Sequence, residues 1–219
     1  MDIKTVNLEV AKPIFKKVLL TLFVSATMSC NKDTSTQKTA TTPSSVVAVS
    51  KISYTELLSS IKNKSTQAQK EELFSFINNE IPTYWEGTPW SYNGTTRIPQ
   101  SGSIACGYFI TNILTDFGYN IKRIHLAQQP SSVMIKQLCT DIKYFDSRER
   151  LEDFVRSKSK NQVYIVGLDF HTGFITFDGK ETYFIHSNYI KNQGVVKELA
   201  TSSQALNASK TFMIGRLSK

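Results

Sequence analysis

The spacing of apolar residues changes once along this chain, and that change limits the folds open to it. In the first part of the chain bulky residues recur at helical intervals: Leu73, Phe74 and Ile77, then Ile110, Ile113, Leu114 and Phe117. Helices are predicted over residues 54–64, 66–80, 104–117, 130–139 and 148–158, with Pro82 ending the second and Gly118 stopping the third. From Val163 onward the pattern becomes short and β-rich, over residues 163–168, 173–177, 182–186, 194–199 and 211–217. The second and third of these flank Asp178-Gly179, a pair that favours a tight hairpin turn. Helices followed by an antiparallel meander make an α+β layout.

The region before residue 51 reads differently. Lys16 and Lys17 precede an apolar run from Val18 to Val24, which gives way to small residues and then Cys30. A basic flank, a short apolar core and small residues describe a secretory signal peptide over residues 1–29. The run is about half the ~20 residues that a membrane-spanning helix needs. The small residue before Cys30 resembles a bacterial lipobox, which implies that Cys30 is the lipid attachment site, although Thr27 stands where Leu is usual. Residues 30–50 are rich in Ser and Thr, with almost nothing bulky, and read as a flexible tether. A single domain is expected over residues 51–219, with a helical lead-in at 52–80 and a core at 81–219. The expected setting is the bacterial cell envelope, with the outer membrane favoured because no Asp directly follows Cys30.

Cys106 is the candidate nucleophile. It is expected in the first turn of a helix that emerges from a long aromatic loop over residues 83–103, which holds Tyr84, Trp85, Trp90 and Tyr92. Unpaired N–H groups and the positive helix end favour a thiolate at such a position. A thiol hydrolase also needs an imidazole held by a third polar group. His171 opens the first strand of the Asp-Gly hairpin and His186 ends the second, so strand pairing brings them to one hairpin end. Asn188, two residues after His186, is expected on the same strand face, and either residue is a candidate to orient His171. Trp90 and Tyr92 are candidate substrate-binding residues. Two structural alternatives stand beside this reading: Cys106 as a small core residue, and a Cys106–Cys139 disulfide, with a buried free thiol favoured for Cys139.

These residues resemble the NlpC/P60 proteins, which share the papain-like fold. The matching stretches are Gly87-Thr88-Pro89-Trp90-Ser91-Tyr92-Asn93-Gly94, Ala105-Cys106-Gly107-Tyr108, His171-Thr172-Gly173-Phe174-Ile175 and Phe184-Ile185-His186. The resemblance implies a papain-like fold, Cys106 as nucleophile, His171 as base and His186 as the group that orients it. Gln100 lies six residues before Cys106, the offset at which papain-like peptidases place an oxyanion-hole Gln. The implied substrate is the peptidoglycan stem peptide, between D-glutamate and the diamino acid. The chain departs from the family at Ala105, where an Asp is usual, in lacking the Ser after the Cys, and at Trp90, where a Tyr is usual.

Composition narrows the alternatives. Three Cys among 219 residues are too few for a disulfide scaffold or a four-cysteine zinc site. With three His and no suitable carboxylate cluster, no metal or cofactor is expected. The net charge of +8 comes without an RNA-binding or helix-turn-helix signature, so nucleic acid is not an expected partner. The expected partners are a cell-wall or other peptide or amide substrate and, through the lipid, a membrane; the oligomeric state is left open. The expected function is a lipid-anchored cysteine hydrolase of peptide or amide bonds. The alternatives are a non-catalytic binding lipoprotein on the same scaffold, and an amidase or transpeptidase using the same Cys–His dyad.

Overall fold

The structure is a computed structural model that describes residues 52–62 and 72–218. The signal-peptide, tether and Cys30 expectations, and the start of the second predicted helix, lie outside the described residues. The described part is a mixed α+β fold built on one six-stranded sheet in which every paired neighbour is antiparallel. The strands are β1 (Cys139–Phe145), β2 (Gln162–Gly167), β3 (Thr172–Phe177), β4 (Thr182–Asn188), β5 (Gly194–Leu199) and β6 (Phe212–Leu217), in the order β1-β6-β2-β3-β4-β5. The helices are α1 (Tyr54–Lys62), α2 (Ile81–Trp85), α3 (Cys106–Phe117), α4 (Arg123–Ala127), α5 (Ser131–Leu138), α6 (Arg148–Arg156) and α7 (Gln204–Ala208).

Both faces of the sheet are covered. Ile77, Trp85, Phe109, Ile113 and Ile135 pack with Ile165, Phe174 and Ile185 in one cluster. Leu151, Val155 and Leu206 pack with Val166, Ile175 and Phe184 in the other. Neighbouring strand residues therefore enter different cores, and β3 is buried along its whole length. That explains why the central strands read as continuous apolar runs, not as an alternation of apolar and polar residues.

Three local features differ from the sequence reading. Pro82 does not end a helix. A π-helical turn, Phe76–Glu80, comes first, and the N–H of Ile81 bonds back five residues to the Phe76 carbonyl. The wide turn sets Pro82 into the first turn of α2, where a missing N–H is tolerated, and helix continues to Trp85. Cys139 leaves α5 and opens β1, an edge strand whose residues are mostly exposed and whose pairing shifts between Thr140 and Lys143, so no clean period marks it. α4 and α7, five residues each, are too short to carry a periodic signal. Gly118 does close α3, with φ +105, in the left-handed conformation that glycine adopts without strain. No helix among the described residues is long and apolar enough to cross a membrane.

Candidate active site

Cys106 is the first residue of α3. Ala105 caps the helix in an extended conformation without a side-chain hydrogen bond, which leaves the first-turn N–H groups to other acceptors. Two elements distant in sequence hold this segment. The aromatic loop receives hydrogen bonds from the Ile104 N–H at Pro89 and the Ala105 N–H at Gly94, each 2.9 Å. From β4, the Ser187 hydroxyl donates to the Ile104 carbonyl at 2.7 Å. Gly107 makes room for α4, because a Cβ there would lie 2.3 Å from the Ala127 carbonyl oxygen. The loop is in turn pinned to the edge strand β5: the Gly87 N–H donates to Val195 and the Val195 N–H to Thr88, each at 2.9 Å.

The hairpin brings the two histidines together. His171 Nε2 and His186 Nδ1 are 2.7 Å apart, and both rings are buried. On its far side His186 Nε2 lies 3.0 Å from Glu198 Oε1, one strand over on β5. Phe184 pairs with Glu198 in the β4–β5 register, so His186 and Glu198 are diagonal neighbours on one face. The Ser203 hydroxyl also bonds Glu198, while accepting from the Leu206 N–H to cap α7. Burial raises the Glu198 carboxyl, but the bonds from His186 and Ser203 outweigh it and hold the group below its ordinary value. Glu198 is then a carboxylate, able only to accept, which fixes every proton along the row. His186 carries its hydrogen on Nε2, His171 carries its own on Nε2, and the Nδ1 of His171 is left as a bare lone pair.

Cys106 and His171 line the same cavity, of about 680 Å³. The sulfur is largely enclosed, and burial pushes its thiol above the ordinary value; backbone N–H groups of Gly107, Thr172 and Cys106 itself pull it back. Burial, aided by the neighbouring His186, lowers His171 well below the usual imidazole value. The resting pair is therefore a neutral thiol and a neutral imidazole. Burial thus works against the thiolate expected from the helix end, and exceeds the pull of the backbone N–H groups.

The remaining candidates separate. Trp90 and Tyr92 line the cavity, together with Tyr108, Phe170 and Tyr189. Gln100 does not line it. This residue has φ +58, its N–H is held by the Thr88 hydroxyl at 2.9 Å, and its amide donates to the Glu86 carbonyl at 3.3 Å. Asn188 does not bond a histidine: its amide donates to Gln193 Oε1 at 2.6 Å and its oxygen accepts from the Ile190 N–H at 2.9 Å, closing the β4–β5 connection. Cys106 and Cys139 are both free thiols, so the disulfide alternative is excluded. Among the described residues no three His, Cys, Asp or Glu side chains converge as a metal site.

Glu198 and Ser203 were missed from sequence, as were Phe170 and Tyr189. Nothing local marks Glu198, which is half-buried like Val196 two places before it; reading it required the β4–β5 register. Comparison of the chain with protein-family models, with curated proteins and with solved structures finds no match.

Proposed function

We propose that this chain is a cysteine hydrolase of peptide or amide bonds with a divergent NlpC/P60-like, papain-like fold. One observation carries the reading: His171, held through His186 by Glu198, lines the cavity that also contains the Cys106 thiol. In the proposed reaction the substrate carbonyl enters that cavity and the Cys106 proton passes to His171 Nδ1 as sulfur attacks carbon. The C–S bond forms, the carbonyl oxygen becomes an oxyanion, and the N–H groups at the open end of α3 stabilise it. As the C–N bond breaks, His171 returns the proton to the leaving amine. Water, deprotonated by the same imidazole, then hydrolyses the thioester and restores the thiol. Because both partners start neutral, proton transfer accompanies attack and no preformed ion pair is required.

Alkylation by iodoacetamide at pH 7, followed by mass spectrometry of the Cys106 peptide, tests this reading. Wild type is expected to react at least about tenfold faster than His171→Gln, within the range for a positioned general base. Equal rates would reject the hydrolase and leave the second reading, a binding lipoprotein. That second reading is favoured by the raised Cys106 thiol and by Gln100 turning away from the cavity.

The proposal extends to a mature protein lipidated at Cys30 and tethered in the cell envelope, acting on a peptide or amide substrate there. Metabolic labelling with an alkynyl fatty acid should mark the wild-type protein and not Cys30→Ala.

A further inference from the structure

The walls of the Cys106 cavity restrict what acyl group can enter it. Its lining comes from Trp90, Tyr92, Tyr108, Phe170, Tyr189, His171 and small or neutral polar residues; among the described residues no Asp, Glu, Lys or Arg contributes. Several charges near the lining are committed elsewhere, Arg97 among them in its ion pair with Asp116, while Lys191, two residues after Tyr189, is exposed and does not line the cavity. Arg123 lies over the Tyr108 ring, 5.6 Å from its centre, and donates to Asn112 Oδ1 at 2.8 Å. The Asp169 carboxylate accepts from the Lys210 and Thr211 N–H groups and from the Thr211 hydroxyl. Glu198 lies behind His186. Asp169 and Lys210 do line a second cavity, of about 240 Å³, but Phe170, His171 and Tyr189 form the wall shared with the first.

Three aromatic rings on that lining are left unusually open: Phe170 is 95% exposed, Tyr92 82% and Tyr189 38%. Scattered exposed apolar residues need no explanation, but several around one cavity mark a binding surface. Phe170 is not on a loose end. Asp169 grips the backbone at residues 210 and 211, the Asp169 N–H donates to Ser209 Oγ at 3.2 Å, and the Leu168 N–H donates to the His171 carbonyl at 2.8 Å. The ring is held out to solvent by a fixed turn. Beside it, the Trp90 indole N–H is buried without an acceptor.

We infer that the acyl group accepted at Cys106 is a neutral peptide unit with a large apolar or aromatic side chain on the residue that supplies the carbonyl. The inference rests on the hydrolase reading above and narrows it, away from the acidic stem peptide that the family resemblance implies. A carboxylate in this cavity would lose water without gaining a cation from its lining, whereas an apolar side chain would cover exposed aromatic surface.

Two activated esters test the inference on the full chain: the 4-nitrophenyl esters of N-acetyl-phenylalanine and N-acetyl-glutamate. Each would form a C–S bond at Cys106 with loss of 4-nitrophenolate, and water would then cleave the thioester. Nitrophenolate release is read after subtraction of the Cys106→Ala rate. The phenylalanine ester should show a kcat/KM at least about tenfold higher, in the range of pocket discrimination by apolar contact. Phe170→Ala should narrow that ratio severalfold, and Gln128→Arg should shift it toward glutamate. Attraction of the anionic ester to a chain of net charge +8 works against this outcome, which makes it a demanding one. An equal or reversed ratio in wild type overturns the inference. So does failure of both esters to acylate a thiol whose iodoacetamide reaction still depends on His171. If that dependence is itself missing, the hydrolase reading falls and the inference falls with it.

Discussion

Glu198 sets the chemistry of a pair of rings it barely reaches. With only hydrogen-bond acceptors to offer, it dictates which nitrogen of His186 is protonated, and His186 dictates the same for His171. Replacing it with Ala removes that constraint and lets His171 turn its N–H toward the sulfur. Glu198→Ala is expected to lower kcat/KM at least about tenfold, or 1.4 kcal/mol of transition-state stabilisation. Glu198→Gln, whose amide oxygen can still accept, should lose less, and the order of the two variants is the discriminating measurement. The protonation states make a second prediction. The Cys106 thiol is pushed above its ordinary value and His171 well below its own, so alkylation of Cys106 should still be rising with pH beyond 9. A pH–rate profile with no further rise through pH 9 would mean that the resting site is an ion pair. Cys106, His171 and His186 were legible from residue type and spacing, because a helix start and an Asp-Gly hairpin are local signals. Gln100 shows where such reasoning stops: an offset of six residues says nothing of a side chain whose backbone has φ +58 and whose amide is taken by Glu86.

At the level of the element, the β3–β4 hairpin depends on one missing side chain. A Cβ at Gly173 would lie 2.4 Å from the Phe184 ring and 2.7 Å from the His186 Cβ. The Phe184 and His186 rings stack at 4.0 Å over that space. Gly173→Ala should push both away, at a cost of about 1–3 kcal/mol in stability for overpacking. The same shift should lengthen the contact between His186 and His171, so activity should fall by more than the loss of folded protein accounts for; denaturant unfolding beside kcat/KM on the folded fraction checks this. The strand reading from Val163 onward holds up well, since continuous β-branched and aromatic runs survive burial on both faces. What escaped was β1, where exposure and an irregular register erase the alternation, and the helix through Pro82, where a π-turn removes the conflict that proline normally creates.

For the whole molecule, the buried imidazoles tie folding to acidity. His171 and His186 both have lowered values in the folded chain, chiefly through burial, with Glu198 partly opposing the effect at His186. Below pH 6.5 the unfolded chain therefore binds protons that the folded one refuses. Their contribution to stability is complete above that pH and is lost as pH falls toward the lowered values. Between pH 7.5 and 5.5 the loss should be about 1–2 kcal/mol, seen as a drop in unfolding midpoint that the double variant His171→Gln, His186→Gln flattens. The order of the strands has a separate consequence. β6 lies between β1 and β2, both of which precede it in sequence, and among the described residues no other strand pairs with β1. A polypeptide emerging from the ribosome, or threading through a translocation pore, can form the β2–β5 meander early, yet it must hold β1 and α5 in waiting until the segment from Phe212 arrives. A chain cut before Phe212 should fail to give a cooperative unfolding transition, even though every residue named in the reaction would still be present.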